Sequence, residues 1–390
     1  MIDETLVARE QDAIMQTYAR LPVAIRRGRG VELEAVDGTT YLDWVAGISM
    51  MNVGHCHPAV VEAIRTQAGE LVNTSNLVYT EQQVQLAEWL SSHSLGGKVF
   101  FCNSGAEANE AAIKLCRRHN SDRSEFVTLV DSFHGRTMGA LSLTGQPGKQ
   151  APFRPLISGV RHVQRNDLDA LEAAVSDRTS AIFLELIQGE CGVYPLDPEF
   201  VGLARALADR HGALLVFDEI QTGMARTGPL FAYQDVGVAP DIMCLAKSLG
   251  AGIPLGAVVA TPALSTAFQR GDHGSTFAGG ALACAVGLAV CGIVGERAFQ
   301  DRVRLVGARL QAGLERLVRA GLASETRGRG LMHAIDLPRD NAADAVAALI
   351  DQGMIVNNTS ANTLRFLPPL VVGEPEVDRL LDALQLVLTR

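Results

Sequence analysis

Six short apolar runs in the middle of the chain constrain its fold most. They are KVFFC (98–102), EFVTLV (125–130), AIFLEL (181–186), ALLVF (213–217), IMCLA (242–246) and GAVVA (256–260). None alternates apolar with polar residues, so each suits a strand buried on both faces of a mainly parallel sheet. Amphipathic stretches separate the runs, with helices expected from about Ala106 to His119 and near 198–210. The repeated strand–helix order predicts an α/β core over about residues 60–290. The 38 glycines in a chain that is 47% hydrophobic fit tight strand–helix turns better than a flexible linker.

The texture changes after about residue 296. RVRLVGARLQAGLERLVRAG sets Val303, Val306, Leu310, Leu314 and Leu317 on one helical face. GLMHAIDL, AADAVAALIDQG, MIVNN and TLRF then alternate strand and helix, as in a smaller α+β unit. Near the start, VELEAVDGTTYLDW carries an Asp-Gly hairpin signal between apolar alternations. The expected organisation is a large domain over 61–290, a small α+β domain over 291–390, and an N-terminal segment, 1–60, that joins the small domain.

Composition excludes several partners. The net charge is −9 with no basic run, which argues against nucleic acid or an anionic membrane. The same field repels anions, so any phosphate or carboxylate ligand must be held by local groups. Seven cysteines without a C-x-x-C pair, several inside apolar runs, read as reduced core residues of a cytoplasmic protein. The acidic opening MIDETLVAREQ lacks the apolar stretch of a secretory signal. Gly274–Gly295 is uncharged and passes the roughly 18-residue length of a membrane span. Its Gly, Ala, Ser and Cys content points instead to a helix buried between packed layers.

Candidate chemistry clusters at the ends of the apolar runs. Lys247 follows IMCLA and precedes a nearly chargeless, Gly-rich stretch, so burial should depress its pKa toward that of a nucleophile or general base. Asp218 ends ALLVF, at the carboxyl edge where α/β sheets bind ligands. A buried aspartate there needs a cationic partner, and a protonated pyridine ring is one. Gln221 could donate from the same turn. Ser104, Gly105 and Ala106, opening the helix in CNSGAEANEAAIK, would offer backbone N–H groups to a phosphate. In DSFHGRTMGA, Phe133 could stack on a planar ring and Arg136 fork onto a carboxylate. Arg365 lies among apolar residues in TLRFLPPL, with Glu190 a plausible partner. Each residue taken singly has a plainer reading: a snorkelling lysine, a helix-capping aspartate or serine, a surface ion pair. HCHP (55–58) spaces two histidines by two, but no further ligands complete a metal set, so a structural turn is expected.

In their order, FCNSGAEANEAAIKL, FHGRTMGALSLTGQPGKQAPF, IQGECGV, DEIQTGMARTG, AKSLGAGIPLGA, GSTF and RFLPPL resemble the class III, fold type I, pyridoxal-phosphate-dependent aminotransferases, and among them the acetylornithine branch. The resemblance runs from about Tyr18 to Leu370. It implies a seven-stranded, mainly parallel sheet with a smaller α+β domain, and pyridoxal 5'-phosphate carried on Lys247. It further implies Asp218 at the pyridine nitrogen, Gln221 near the ring hydroxyl, Phe133 on the ring face, and Ser104, Gly105 and Ala106 at the phosphate. Thr276 would reach the phosphate from a second subunit, so the implied assembly is a homodimer with shared sites. Arg136 and Arg365 resemble the two substrate-carboxylate arginines. Glu190 resembles the glutamate that pairs with the second arginine during the diamine half-reaction and releases it for 2-oxoglutarate. Tyr18, Ile48 and Ser275 join the substrate-binding set. Ile48 stands where the ornithine branch carries tyrosine, and the compact length favours an acetylornithine donor over succinylornithine, 4-aminobutyrate or ornithine. Three departures flank the site: no Asn-Pro after GSTF, Ala225 where glycine is usual, and Leu186 where proline is usual.

Overall fold

Neighbouring residues of each apolar run are buried on opposite sides, which is why the runs have no polar phase. Leu215 and Phe217 enter one core with Ile182, Leu184, Met243 and Leu245. Leu214 and Val216 enter the other with Ala181, Phe183, Ile242 and Cys244. The computed structural model describes residues 4–389, so residues 1–3 of the acidic opening stretch and residue 390 lie outside the described residues. In it all six runs join one seven-stranded sheet. The strands are β1 (Val99–Cys102), β2 (Glu125–Leu129), β3 (Val160–Val163), β4 (Thr179–Leu184), β5 (Leu214–Asp218), β6 (Ile242–Leu245) and β7 (Gly256–Ala260). Their order is β1-β7-β6-β5-β4-β2-β3.

Strands β2 to β6 pair in parallel. The run at 256–260 departs from that pattern: β7 is antiparallel to both β6 and β1. β3 is a strand the apolar pattern does not reveal, because at the sheet edge its Val-Arg-His-Val sequence buries only Val163. The expected helices are Gly105–His119, here α1, and Pro198–His211. α1 packs Ala108, Ala111, Ala112, Ile113, Leu115 and Cys116 against one face of the sheet. Within the uncharged stretch, residues 281–294 form a helix with seven buried residues. Among the described residues no single helix is long and apolar enough to cross a membrane.

The remaining strands form two four-stranded sheets and a two-stranded one, Ile187–Gln188 with Tyr194–Pro195. The Asp-Gly hairpin pairs Glu32–Ala35 with Thr40–Asp43, and Met354–Ile355 adds to Thr40–Asp43 in parallel, tying the start of the chain to its end. The second sheet contains Glu325–Arg329, Met332–Asp336, Thr363–Phe366 and Asn357–Asn358. All five apolar residues read onto one face of the helix Arg297–Arg319 are buried. His55 and His57 serve different structural ends: His55 Nε2 lies 2.7 Å from Asp43 Oδ2, and His57 Nδ1 accepts from the Ala59 N–H at the start of the next helix. Of the cysteines, five are core residues as expected, whereas Cys56 is exposed and Cys191 half-buried.

Arg226 pins these parts together. Its side chain is fully buried. Nε donates to Ser49 Oγ (2.9 Å), Nη2 to Asn52 Oδ1 (2.5 Å), and Nη1 to the carbonyls of Leu331 (2.9 Å) and Pro368 (2.6 Å). Burial pulls its guanidinium below the ordinary arginine value, with the charge of Asp43 pulling back. Ala225 beside it sits at φ 67°, the left-handed region that favours glycine, held by its N–H bond to Leu230 O (3.0 Å). Leu186 is buried in the main core. Arg226→Met should strand several buried acceptors at once and destabilise the fold by at least ~3 kcal/mol. Urea unfolding checks this, and a loss below ~1 kcal/mol would mean that the carbonyls find other donors.

Candidate active site

The parallel strands deliver polar residues to one edge because each chain segment turns at the carboxyl end of its strand. There Gly105, Ala106, Phe133, Arg136, Glu185, Asp218, Ile220, Gln221 and Lys247 line a cavity of about 250 Å³. Gly105 and Ala106 follow β1, Phe133 and Arg136 follow β2, Glu185 follows β4, Asp218 ends β5, and Lys247 follows β6. Gly105 must be glycine, since a Cβ there would meet Ile220 Cδ1 at 2.8 Å. Ser104 is the N-cap of α1, its hydroxyl accepting from the Glu107 N–H (3.2 Å), so the free N–H groups of the helix start face the cavity side of the sheet edge.

Lys247 has φ 44°, an uncommon conformation for a lysine and of the kind held at functional sites. It is half-buried, its exposed part facing the cavity. Its amine has no hydrogen-bond or ion-pair partner among the described residues. Burial, reinforced by the charge of Arg365, pushes that amine below the ordinary lysine value against the pull of Glu190, Asp218 and Glu185. This is the direction expected for a lysine at the end of a buried strand.

Asp218 is held by three donors. Its Oδ2 accepts from Asn109 Nδ2 (2.8 Å) and meets His134 Nδ1 (2.8 Å), while Oδ1 accepts from the Ile220 N–H (3.1 Å). His134 is completely enclosed. Burial alone would lower its pKa, but the hydrogen bond and charge of Asp218, with Glu185 beyond, outweigh burial and raise it. Glu185 accepts from the Phe133 N–H (2.8 Å), and burial pushes its carboxyl up to about 7. Asn109, His134, Glu185 and Ile220 are site residues the sequence reading missed. The signals were an amide on the buried face of α1, the histidine beside Phe133, and an acid inside an apolar strand run.

Arg365 is 1% exposed and donates from Nη1 to Glu190 Oε1 (2.7 Å) and Gly189 O (2.9 Å). Its Nε donates to Asn357 Oδ1 (3.4 Å). Burial works against the Glu190 charge, but Arg365, Lys247 and the hydrogen bond from Gln221 Nε2 (3.3 Å) hold its carboxyl down at about 2. Gln221 Oε1 is buried without a hydrogen-bond partner among the described residues, an acceptor left free at the cavity wall. The unpaired lysine, the thrice-bonded aspartate, the helix start and this free amide oxygen fit the aldehyde, ring nitrogen, phosphate and hydroxyl of pyridoxal phosphate.

Other expected residues lie elsewhere. Tyr18 is exposed and lines a separate pocket of about 920 Å³ beside the N-terminal helix, with the Arg20 guanidinium 5.6 Å from its ring centroid. Ile48, at φ 62°, packs against Ile187, Val193, Met332, Ala334 and Leu367 near Arg365. Ser275 Oγ accepts from Asn103 Nδ2 (3.0 Å), and Thr276 is exposed and lines no part of the Lys247 cavity. Where Asn-Pro is usual, a Cβ on Gly280 would fall 2.2 Å from Asn73 Nδ2, so Asn73 occupies that space here.

This lysine–aspartate cavity on a seven-stranded α/β sheet belongs with the aminotransferases. The class-III aminotransferase family model matches residues 13–388, and the chain belongs to that family. Among its relatives is the acetylornithine aminotransferase of Caldanaerobacter subterraneus subsp. tengcongensis, 45% identical over 98% of this chain and 99% of that one. Another, from Mycobacterium tuberculosis, is 45% identical over 99% and 96%. Among solved structures, the ornithine aminotransferase of Toxoplasma gondii superposes with a TM-score of 0.95 at 32% identity, over 99% of this chain and 94% of that one. The acetylornithine aminotransferase of Elizabethkingia anophelis gives 0.87 at 33% identity, over 99% and 98%.

Removing the imidazole beside Asp218 should be costly: His134→Phe is expected to lose roughly 1.5–3 kcal/mol, the worth of a hydrogen bond to a charged group. The raised pKa fixes the sign of its pH dependence. The contribution is fully present below the ordinary histidine value of about 6.5 and declines as pH rises through the folded value. Chemical denaturation of both proteins should therefore give a gap that narrows toward high pH. A widening gap would contradict a charged imidazole.

Proposed function

We propose that the chain transfers the terminal amino group of N-acetylornithine to 2-oxoglutarate, using pyridoxal 5'-phosphate, as part of arginine metabolism. The observation that carries this reading is the unpartnered Lys247 amine, depressed below the ordinary lysine value, in the cavity that Asp218 and Gln221 also line. The names of the relatives support the donor. A Toxoplasma gondii ornithine aminotransferase structure of the same fold is described with partial occupancy of the cofactor at its active site.

Pyridoxal phosphate, when bound, supplies the electron sink for moving an amino group. Lys247 would carry it and, once displaced, shuttle a proton from its Nζ. Asp218, steadied by Asn109 and His134, would keep a ring nitrogen protonated. Gly105 and Ala106 at the start of α1, with Ser104, would hold the phosphate; Phe133 would cover the ring and Gln221 meet its hydroxyl. Arg136 has no ion pair among the described residues and suits a substrate carboxylate. Glu190 neutralises Arg365 while the monocarboxylate donor reacts, and must release it when the dicarboxylate acceptor enters. Ile48, Ser275 and Tyr18 are retained as substrate-side residues, Tyr18 requiring movement of the N-terminal segment.

The working form we propose is a homodimer in which Thr276 reaches the partner's phosphate site. Thr276 is exposed beside Phe277 (74% exposed), and Leu77 and Tyr79 are exposed at 89% and 98%. Such a cluster of bare apolar side chains suits a covered interface. Residues 61–290 would be the cofactor-binding domain, with 1–60 and 291–390 forming the smaller unit; the pairing of 354–355 on 40–43 supports this. Seven cysteines free of disulfides suit the cytoplasm.

The test is an absorbance titration of the purified protein. The visible band of the bound cofactor should fade with N-acetylornithine and return with 2-oxoglutarate, and Lys247→Ala should abolish turnover. A band indifferent to N-acetylornithine would remove that donor. Arg136→Ala should lower kcat/KM roughly 30- to several-thousand-fold, ~2–5 kcal/mol, in both half-reactions. A change of less than about threefold, under ~1 kcal/mol, would remove Arg136 from the carboxylate site.

A further inference from the structure

Two cations share the Phe133 ring. The Arg136 guanidinium carbon lies 5.7 Å from its centroid and Lys149 Nζ 5.5 Å from the same point. Neither has a carboxylate within ion-pair reach among the described residues, whereas the nearby Arg365 is neutralised by Glu190. Lys149 is half-buried and lines a hollow with Gln146, Glu190, Cys191 and Thr359 that adjoins the Arg365–Glu190 pair. Asp131 lines the same hollow but lies 3.6 Å from Arg165, so of Arg136, Lys149 and Arg365 only Arg365 has a carboxylate partner among the described residues.

We infer that Lys149 is a second cation of the substrate-carboxylate site, acting with Arg136 across Phe133 to select substrates that carry a carboxylate at that end. Two unneutralised cations brought this close repel each other, and an entering carboxylate relieves that repulsion, so its binding gains more than from Arg136 alone. The state of Lys149 agrees: burial and then the charges of Arg136 and Arg365 lower its pKa, against the pull of Glu190 and Cys191. The inference rests on the proposed reading of Arg136 and adds a residue which that reading does not use.

Lys149 also has a purely structural contact. Its amine donates to Gln146 Oε1, and Gln146 Nε2 donates to the carbonyls of Asp131 and Ser132 (both 3.2 Å), just ahead of Phe133. The experiment must separate the two roles. In the holoenzyme, Lys149→Met should raise KM for 2-oxoglutarate and for N-acetylornithine, and Kd for the unreactive dicarboxylate glutarate, by roughly tenfold each. kcat should fall less than threefold, affinity for pyridoxal phosphate should stay within twofold, and Lys149→Arg should recover most of the loss. Added salt should shrink the gap in glutarate affinity between wild type and variant. Unchanged KM and Kd, or a fall in cofactor affinity matching the fall in kcat, would overturn the inference, the second outcome assigning Lys149 to loop support. A wild type that binds glutarate but ignores N-acetylornithine would fail the donor reading while leaving the Lys149 comparison intact.

Discussion

The buried guanidinium of Arg226 is the constraint on which the rest of the molecule depends. It bonds Ser49 and Asn52 from the start of the chain and the carbonyls of Leu331 and Pro368 from its end. Ser49 Oγ in turn donates to Gln221 O, and Asn52 Nδ2 to Met224 O. Three distant segments are therefore locked within a few residues of Ile48, Gln221 and Arg365. A buried cation without these acceptors would be prohibitively costly, so the segments either assemble around it together or not at all. The run of left-handed residues at Ala46, Ile48, Ser49, Met224 and Ala225 is the local strain this arrangement sustains.

Around the cavity, charge is arranged by the same logic. Each buried ion has a partner except where a ligand is needed. Asp218 is satisfied by Asn109, His134 and a backbone N–H, and Glu190 by Arg365 and Gln221. Lys247, half-buried, and Arg136, exposed beside the Phe133 ring, have no ion pair among the described residues, and both line the cavity. In a protein carrying a net charge of −9, an anion has to be held by local groups such as these.

Much of this was legible in the residues. The six apolar runs became six strands of the main sheet, and residues at the carboxyl ends of five of them became the cavity wall, because a strand buried on both faces can display polar groups only where it stops. What escaped notice were single polar residues inside apolar surroundings. Asn109 and Glu185 look like defects in a helix face and a strand until Asp218 and the Phe133 N–H are found opposite them. β3 escaped for the converse reason, an edge strand too polar to show an apolar run.

The sequence by itself determined the strand and helix periodicity and the family pattern on which the proposed lysine, aspartate and arginine roles rest, since these follow from residue type and local spacing. Only the tertiary structure decided that β7 runs antiparallel, that Lys149 shares a ring with Arg136, and that Tyr18 and Thr276 stand apart from their own chain's cavity. Those outcomes depend on long-range packing and on balancing buried charge among distant segments, and no local window of sequence contains either.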